Sequence, residues 1–190
     1  LLNVARAFSH IEADVTVTGD PAAAIASERL VLPGVGAFKN ASEALQAQGL
    51  SDPVREFVAS GRPFMGICVG LQLLFDVSEE FGRHDGLGII SGTVEAIPRT
   101  DLAGRALRVP HIAWKPLLPA GGRNSLAGTV LDQVDEGQHF YFVHSFAAVP
   151  DDAATRLADC DYGGNRLCAA VAKDNVVATQ FHPERSGDQG

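Results

Sequence analysis

Cysteine is scarce in this sequence and forms no pattern. The three present, Cys68, Cys160 and Cys168, are odd in number and widely spaced, with no Cys-x-x-Cys pair. This argues against a disulfide framework and against a zinc knuckle, and it fits a reducing cytosol, so a cytoplasmic location is expected. The six histidines include no His-x-x-x-His pair, so neither a metal nor another cofactor is expected. No run is rich in lysine or arginine and the net charge is −8, which argues against nucleic acid and anionic membranes as main partners. Apolar runs fall well short of the ~20 residues that a membrane-spanning helix needs. The N-terminus has no basic region followed by an apolar core, so no signal peptide is expected.

What is present suits one globular domain over residues 1–190. With 46% hydrophobic and 20% charged residues, a chain of this size buries about 70% of the surface of its unfolded form. Apolar spacing predicts helices at 1–11, 21–25, 40–48, 53–59 and from Cys68 to about 77, with strands at 15–18, 30–32 and 64–68. This alternation argues an α/β, doubly wound, mostly parallel (flavodoxin-like) sheet with helices on both faces. Its site should lie beyond the carboxyl ends of the strands. After residue 86 the texture changes. Strands are expected at 87–97, 108–114, more weakly at 129–134, then at 140–146, 156–158, 167–172 and 176–181, with a turn at 173–175, giving a half rich in β-hairpins. The chain starts on a helix and stops soon after a strand. A first strand and a last covering helix are therefore expected to be missing.

The stretch Phe64-Met65-Gly66-Ile67-Cys68-Val69-Gly70-Leu71-Gln72 joins an apolar strand to a helix through Gly-x-Cys-x-Gly. Glycines on both sides of Cys68 omit the Cβ atoms that would block a sharp reversal. The turn would hold the sulfur at a sheet edge over a helix start, the thiol counterpart of a serine nucleophile elbow. Amides at a helix N-terminus favour negative charge there. The plainer alternative is a buried cysteine packing as a small hydrophobe. Upstream, Pro33-Gly34-Val35-Gly36 follows a strand and precedes a helix, either as an ordinary loop or as backbone N–H groups lining an anion cavity. Near the end, the last strand runs into His182-Pro183-Glu184. A histidine there with a carboxylate two residues on can complete a Cys–His–Glu triad, the carboxylate fixing the ring and stabilising its cation. Taken singly, His182 could be a satisfied strand-end histidine and Glu184 a solvated loop acid.

Together these stretches resemble the class I glutamine amidotransferases, and within them the glutaminase subunits of imidazole glycerol phosphate synthases of histidine biosynthesis. The likeness extends over nearly the whole chain. It rests on 32–38, 66–75, 84–88, Val109-Pro110-His111-Ile112-Ala113-Trp114, Tyr141-Phe142-Val143-His144-Ser145-Phe146 and Gln180-Phe181-His182-Pro183-Glu184-Arg185-Ser186-Gly187. By this resemblance Cys68 attacks the side-chain amide of glutamine, His182 is base and acid, and Glu184 orients it. The oxyanion would meet N–H groups of Val69 and of the Gly34, Val35, Gly36 loop. Gln72, Ser145 and Phe146 would hold the amino-acid end. The resemblance also implies a (β/α)8-barrel cyclase partner that receives the ammonia, and a glutaminase that wakes when that partner is liganded. Ile112, Trp114, Tyr141 and Arg185 are the expected interface residues, the first three being equally readable as core, and the 34–36 loop is the expected switch.

Three departures from the family pattern stand out: the missing first strand with its glycine-rich turn, Ile112-Ala113-Trp114-Lys115 where the family usually has Met-Gly-Trp-Asn, and Arg185 in place of lysine. Lys115 exchanges an amide for a cation at the expected interface. Three other readings stay open: a glutaminase of another synthase (pyridoxal phosphate or anthranilate type), a thiol esterase or peptidase of related fold, and a non-catalytic module.

Overall fold

The computed structural model describes residues 1–135 and 137–190, and the side chain of Gln189 is not described. In chain order it has α1 (Leu2–His10), α2 (Pro21–Ala26), β1 (Leu30–Gly34), α3 (Phe38–Ala47), α4 (Ser51–Ala59), β2 (Phe64–Cys68) and α5 (Val69–Gln72). Then follow β3 (Phe75–Ser78), β4 (His84–Asp85), β5 (Ile90–Ala96), β6 (His111–Pro116), β7 (Leu118–Pro119), β8 (His139–His144) and β9 (Phe146–Pro150). The last strands are β10 (Arg156–Tyr162), β11 (Asn165–Lys173) and β12 (Val176–Thr179), before short 3-10 turns at Pro183–Arg185 and Gly187–Gln189.

The α/β class holds, but the main sheet is mixed rather than mostly parallel. Its order is β1-β2-β12-β11-β10-β7. Only the β1–β2 and β2–β12 pairs are parallel, and β12–β11, β11–β10 and β10–β7 are antiparallel. The hairpin chemistry explains the switch: Gly163 and Gly164 turn β10 into β11 at φ 63° and 84°, and Asp174 turns β11 into β12 at φ 51°. A positive-φ pair such as Gly163–Gly164 suits a two-residue hairpin. A second sheet, β4-β3-β5-β9, and a two-stranded ribbon, β6-β8, stand beside the first.

Two apolar clusters fill the interior. One packs Phe38, Phe57, Leu71, Leu74 and Phe75 around the parallel strands. The other packs Phe140, Phe142, Leu157, Ala169 and Phe181 around the antiparallel ones. The insertion that matters is β12, last in sequence yet seated between β2 and β11. Its parallel register on β2 runs from Val176↔Phe64 to Thr179↔Ile67. The carboxyl ends of β2 and β12 therefore finish side by side.

Four sequence expectations give way. Residues 15–18 form no strand. Their alternation has no partner among the described residues, and Val15 and Val17 remain exposed. The helix after Cys68 ends at Gln72 rather than near residue 77, because Phe75 and Val77 are buried while Asp76 between them is exposed. That period of two selects a strand, and Asp76 Oδ2 secures it by accepting from Gly92 N at 2.9 Å. Residues 129–134 form turns, closed by Thr129 Oγ1, which donates to Leu126 O at 2.6 Å. The strand expected at 140–146 divides at Ser145, whose carbonyl accepts from Ile97 N, so that β8 serves the ribbon and β9 the second sheet.

Candidate active site

Cys68 ends β2 and begins α5 in a backbone conformation that side chains rarely adopt, φ 55° and ψ −109°. A non-glycine residue held there costs on the order of 1–3 kcal/mol and persists only where its surroundings enforce it. Those surroundings are glycines. A Cβ on Gly66 would stand 2.9 Å from Gly70 O, and one on Gly70 would collide with Leu32 O. A Cβ on Gly34 would stand 2.8 Å from Gly70 N. Backbone thus lies directly on backbone across β1, β2 and the start of α5. The helix has only four residues, so it offers a few oriented amides rather than a full macrodipole.

His182 follows β12 on extended backbone and is buried beside the sulfur. Its Nδ1 lies 2.8 Å from Glu184 Oε1, both side chains being almost completely covered. Burial disfavours the imidazolium, but hydrogen bonds to Cys68 and Glu184, together with their charges, outweigh it and raise the His182 pKa to about 9. Burial likewise works against the Glu184 carboxylate, and the bond to His182 overcomes it, leaving the acid below its ordinary value. The turn carrying both residues is tied to the ribbon. His182 N donates to Tyr141 O at 2.9 Å, Tyr141 N donates to Ser186 Oγ at 3.1 Å, and Ser186 Oγ donates to His182 O at 2.7 Å.

A cavity of about 400 Å³ opens over the sulfur. Of the residues expected from sequence, Cys68, His182, Val35, Gly36, Val69, Gln72, Ser145, Phe146 and Arg185 line it. Glu184 stands behind His182. Gly34 does not reach the cavity, being packed beneath it against Val69 and Gly70. Ile112, Trp114 and Tyr141 are absent from its lining and lie on the β6–β8 ribbon, where Trp114 is paired with Tyr141 at 5.8 Å between rings. Ile112 and Trp114 are about half exposed (55% and 50%). The Arg185 guanidinium carbon sits 5.3 Å from the centre of the Tyr141 ring.

Gln72 is no helix-surface residue; only 4% of it is exposed. Its Nε2 donates to Phe146 O at 3.2 Å and to Gln180 Oε1 at 3.1 Å. With both hydrogens engaged inside the protein, what it offers a ligand is an acceptor. Sequence reasoning left three residues without a role here. Glu80, read as part of a polar loop, lines the cavity and accepts from Phe38 N at the start of α3. His144 also lines it, with Nδ1 2.8 Å from Phe146 O and Nε2 3.1 Å from His111 Nδ1. Gln180 lies 3.6 Å from Cys68 Sγ through its Nε2. Glu80 gave no signal beyond residue type, whereas His144 and Gln180 lay in stretches that carry the family resemblance. Among the described residues, no group of three or more His, Cys, Asp or Glu is arranged to hold a metal, and no helix is long and apolar enough to cross a membrane.

Known proteins resemble this chain over nearly its whole length. The profile of the family "Glutamine amidotransferase class-I" matches residues 1–190. Imidazole glycerol phosphate synthase subunit HisH 1 of Legionella pneumophila is 40% identical over 190 residues, covering 100% of this chain and 89% of its own. Subunit HisH of Syntrophotalea carbinolica is 45% identical over 194 residues, covering 100% and 90%, and that of Geobacter sulfurreducens 42% over 187 residues, covering 98% and 87%. Among solved structures, a glutamine amidotransferase superposes with a TM-score of 0.68 at 20% identity, over 99% of this chain and 87% of that one. The glutaminase domain of Trypanosoma brucei CTPS with bound acivicin gives 0.60 at 15% identity, over 96% and 80%. At such identities these two speak for the fold alone. A strained cysteine elbow, a buried His–Glu pair beside it and full-length matches at 40–45% identity lead to one assignment: the chain belongs to the class-I glutamine amidotransferase family, in its HisH branch.

Proposed function

We propose that residues 1–190 form one glutaminase domain, the glutamine-hydrolysing subunit of a cytoplasmic imidazole glycerol phosphate synthase in histidine biosynthesis. The observation that carries the reading is the His182–Glu184 pair at 2.8 Å, set beside the Cys68 elbow in a cavity large enough for an amino acid.

With His182 protonated up to about pH 9, the ring carries at neutral pH the proton that the departing nitrogen needs. Cys68 Sγ attacks the side-chain carbonyl carbon of glutamine. The tetrahedral oxyanion is received by N–H groups of Val69 and of the Val35–Gly36 peptide, each worth about 3 kcal/mol when preorganised. The C–N bond then breaks as His182 gives its proton to the departing nitrogen, and ammonia leaves a glutamyl thioester. Neutral His182 next takes a proton from water, which attacks the thioester, and glutamate and thiolate are regenerated. Glu184 holds the ring through Nδ1 throughout. At the amino-acid end, Gln72 presents an acceptor that suits the substrate ammonium, and Glu80 supplies a negative wall. The carbonyl of Phe146 already accepts from Gln72 and His144, so its segment and that of Ser145 are left to bind substrate through N–H and hydroxyl groups.

The partner in this reading is a (β/α)8-barrel cyclase, docked on Ile112, Trp114, Tyr141 and Arg185. Support comes from the exposure of Ile112 and Trp114 and from the backbone bond between Tyr141 and His182, which joins that face to the catalytic turn. Gly34 is clamped while Gly36, at φ 88°, has open space around it, so the switching peptide is the one between Val35 and Gly36.

The test is glutamate release from glutamine, with and without the cyclase subunit and its nucleotide ligand. Strong stimulation that Cys68→Ala abolishes is expected. A folded complex of the right size with no turnover would overturn the enzymatic reading.

A further inference from the structure

Gln180 is completely buried (0% exposed) next to the reacting sulfur. A leucine would fill similar volume without an amide to satisfy, so packing alone does not call for glutamine. Its place follows from the sheet. The register of β12 on β2 reaches Thr179↔Ile67, so the next step brings residue 180 level with Cys68. Past Thr179 the chain bends at residues 180 and 181, and the side chains of Gln180 and His182 both reach Cys68. The main chain is anchored from Gln180 N to Ala169 O at 2.8 Å.

The orientation of its amide is also determined. Phe146 O is a carbonyl and can only accept, so Gln72 must turn Nε2 toward it, at 3.2 Å. The second hydrogen of that nitrogen meets Gln180 at 3.1 Å, which requires Oε1 there. The Nε2–H of Gln180 is thereby left pointing at Cys68 Sγ, 3.6 Å away. A backbone carbonyl thus sets, through two amides, the donor that faces the nucleophile.

Building on the role of Cys68 as nucleophile, we propose that Gln180 is a positioning residue for glutamine hydrolysis, its Nε2–H holding the sulfur as an attacking thiolate and Gln72 holding Gln180 in that orientation. The donor carries no charge and surrenders no proton. It therefore stays in place when His182 protonates the departing nitrogen, and it receives the thiolate again when the thioester is hydrolysed. Hydrogen bonds to ionised groups are the stronger kind, so the contact tightens when sulfur is charged.

The experiment compares Gln180→Glu, Gln180→Leu and wild type in two assays: glutamine turnover of the complex with its partner subunit, and Cys68 alkylation by iodoacetamide, a neutral probe that needs no amino-acid subsite. Gln180→Glu keeps the shape but, when ionised, sets a second anion beside the sulfur, whereas Gln180→Leu removes the donor without adding charge, so a defect shared by both variants reports the lost donor rather than charge repulsion. The expected result is a fall in kcat of about tenfold or more for both variants, KM within about threefold, and alkylation slowed about tenfold. Wild-type kcat and alkylation in Gln180→Glu would overturn the proposal. Should both Gln180 variants fail to fold, Gln72→Leu decides by alkylation alone: slowed labelling supports the relay, and unchanged labelling overturns it. If wild-type Cys68 resists alkylation and Cys68→Ser still turns glutamine over, the nucleophile reading itself fails instead.

Discussion

His182 and His144 line the same cavity, the latter paired with buried His111, and the two sides are driven in opposite directions. At the end of β12, His182 has a thiol and a carboxylate as neighbours and is raised to about pKa 9. On the β6–β8 ribbon, His111 and His144 face each other at 3.1 Å, and each is lowered to about 4, by burial first. Burial alone does not separate them, since all three are nearly covered. What differs is the neighbour. A carboxylate and a sulfur that hydrogen-bonds the ring reward the imidazolium, whereas a second imidazole and a carbonyl accept only one arrangement of neutral rings. Because Phe146 O accepts from His144 Nδ1, His144 Nε2 must itself accept, and His111 Nδ1 donates to it. The ribbon pair is a neutral scaffold for the Phe146 carbonyl, and His182 is a stored proton.

Removing the sulfur should break this contrast most severely. Cys68→Ala is expected to lower glutamate release by roughly 10⁴-fold or more, and the same variant takes from His182 the strongest support for its proton. Its pKa, followed by NMR of the ring, should fall. Glu184→Gln comes next: losing the carboxylate that fixes Nδ1–H should lower kcat by about 10²–10⁴-fold and again bring the His182 pKa down. An unchanged titration in either variant would contradict the electrostatic account.

The contrast also has a pH signature. His182 binds its proton more tightly folded than unfolded, so the stability it contributes is complete below about pH 6.5 and is lost as pH rises through about 9. His111 and His144 bind theirs less tightly when folded, so their contribution is complete above about pH 6.5 and erodes as pH falls toward about 4. Denaturant unfolding should therefore show greatest stability near pH 6.5, with each limb amounting to a few kcal/mol at most. Cys68→Ala should flatten the alkaline limb and spare the acid one. His144→Phe should do the reverse while costing about 2 kcal/mol overall, through lost hydrogen bonds to Phe146 and His111. A limb that survives its own variant would assign that limb to other groups.

The smallest effect concerns the loop beside the pocket. Gly36→Ala meets open space but must keep φ near 88°, which costs about 1 kcal/mol. It should alter the ratio of partner-stimulated to basal turnover more than the fold, as turnover assays with and without the partner subunit would show. Gly70→Ala is the control, since a Cβ there collides with Leu32 O and should cost folding itself.

The elbow was legible because its causes are local: Gly66, Cys68 and Gly70 lie within five residues, and their close contacts follow from missing Cβ atoms. His182 and Glu184 were legible for the same reason, one turn carrying both. The helix expected through residue 77 misled because Leu73, Leu74, Phe75 and Val77 satisfy a helical period as well as an alternating one, and only pairing of β3 with β5 decides between them. Residues 15–18 misled because alternation requires a neighbouring strand that the segment does not find.

The sequence by itself determined which short stretches could turn sharply and which residue types stood ready for nucleophilic chemistry. Conformational preferences of that kind act within a few residues and need no partner. The tertiary structure alone decided that β12 slides in parallel beside β2, which puts Gln180 against a sulfur 112 positions earlier. It alone decided that three buried histidines take opposite protonation states. Those outcomes depend on which surfaces are buried together and on which charges then share a poorly screened space, and neither is written in any local run of residues.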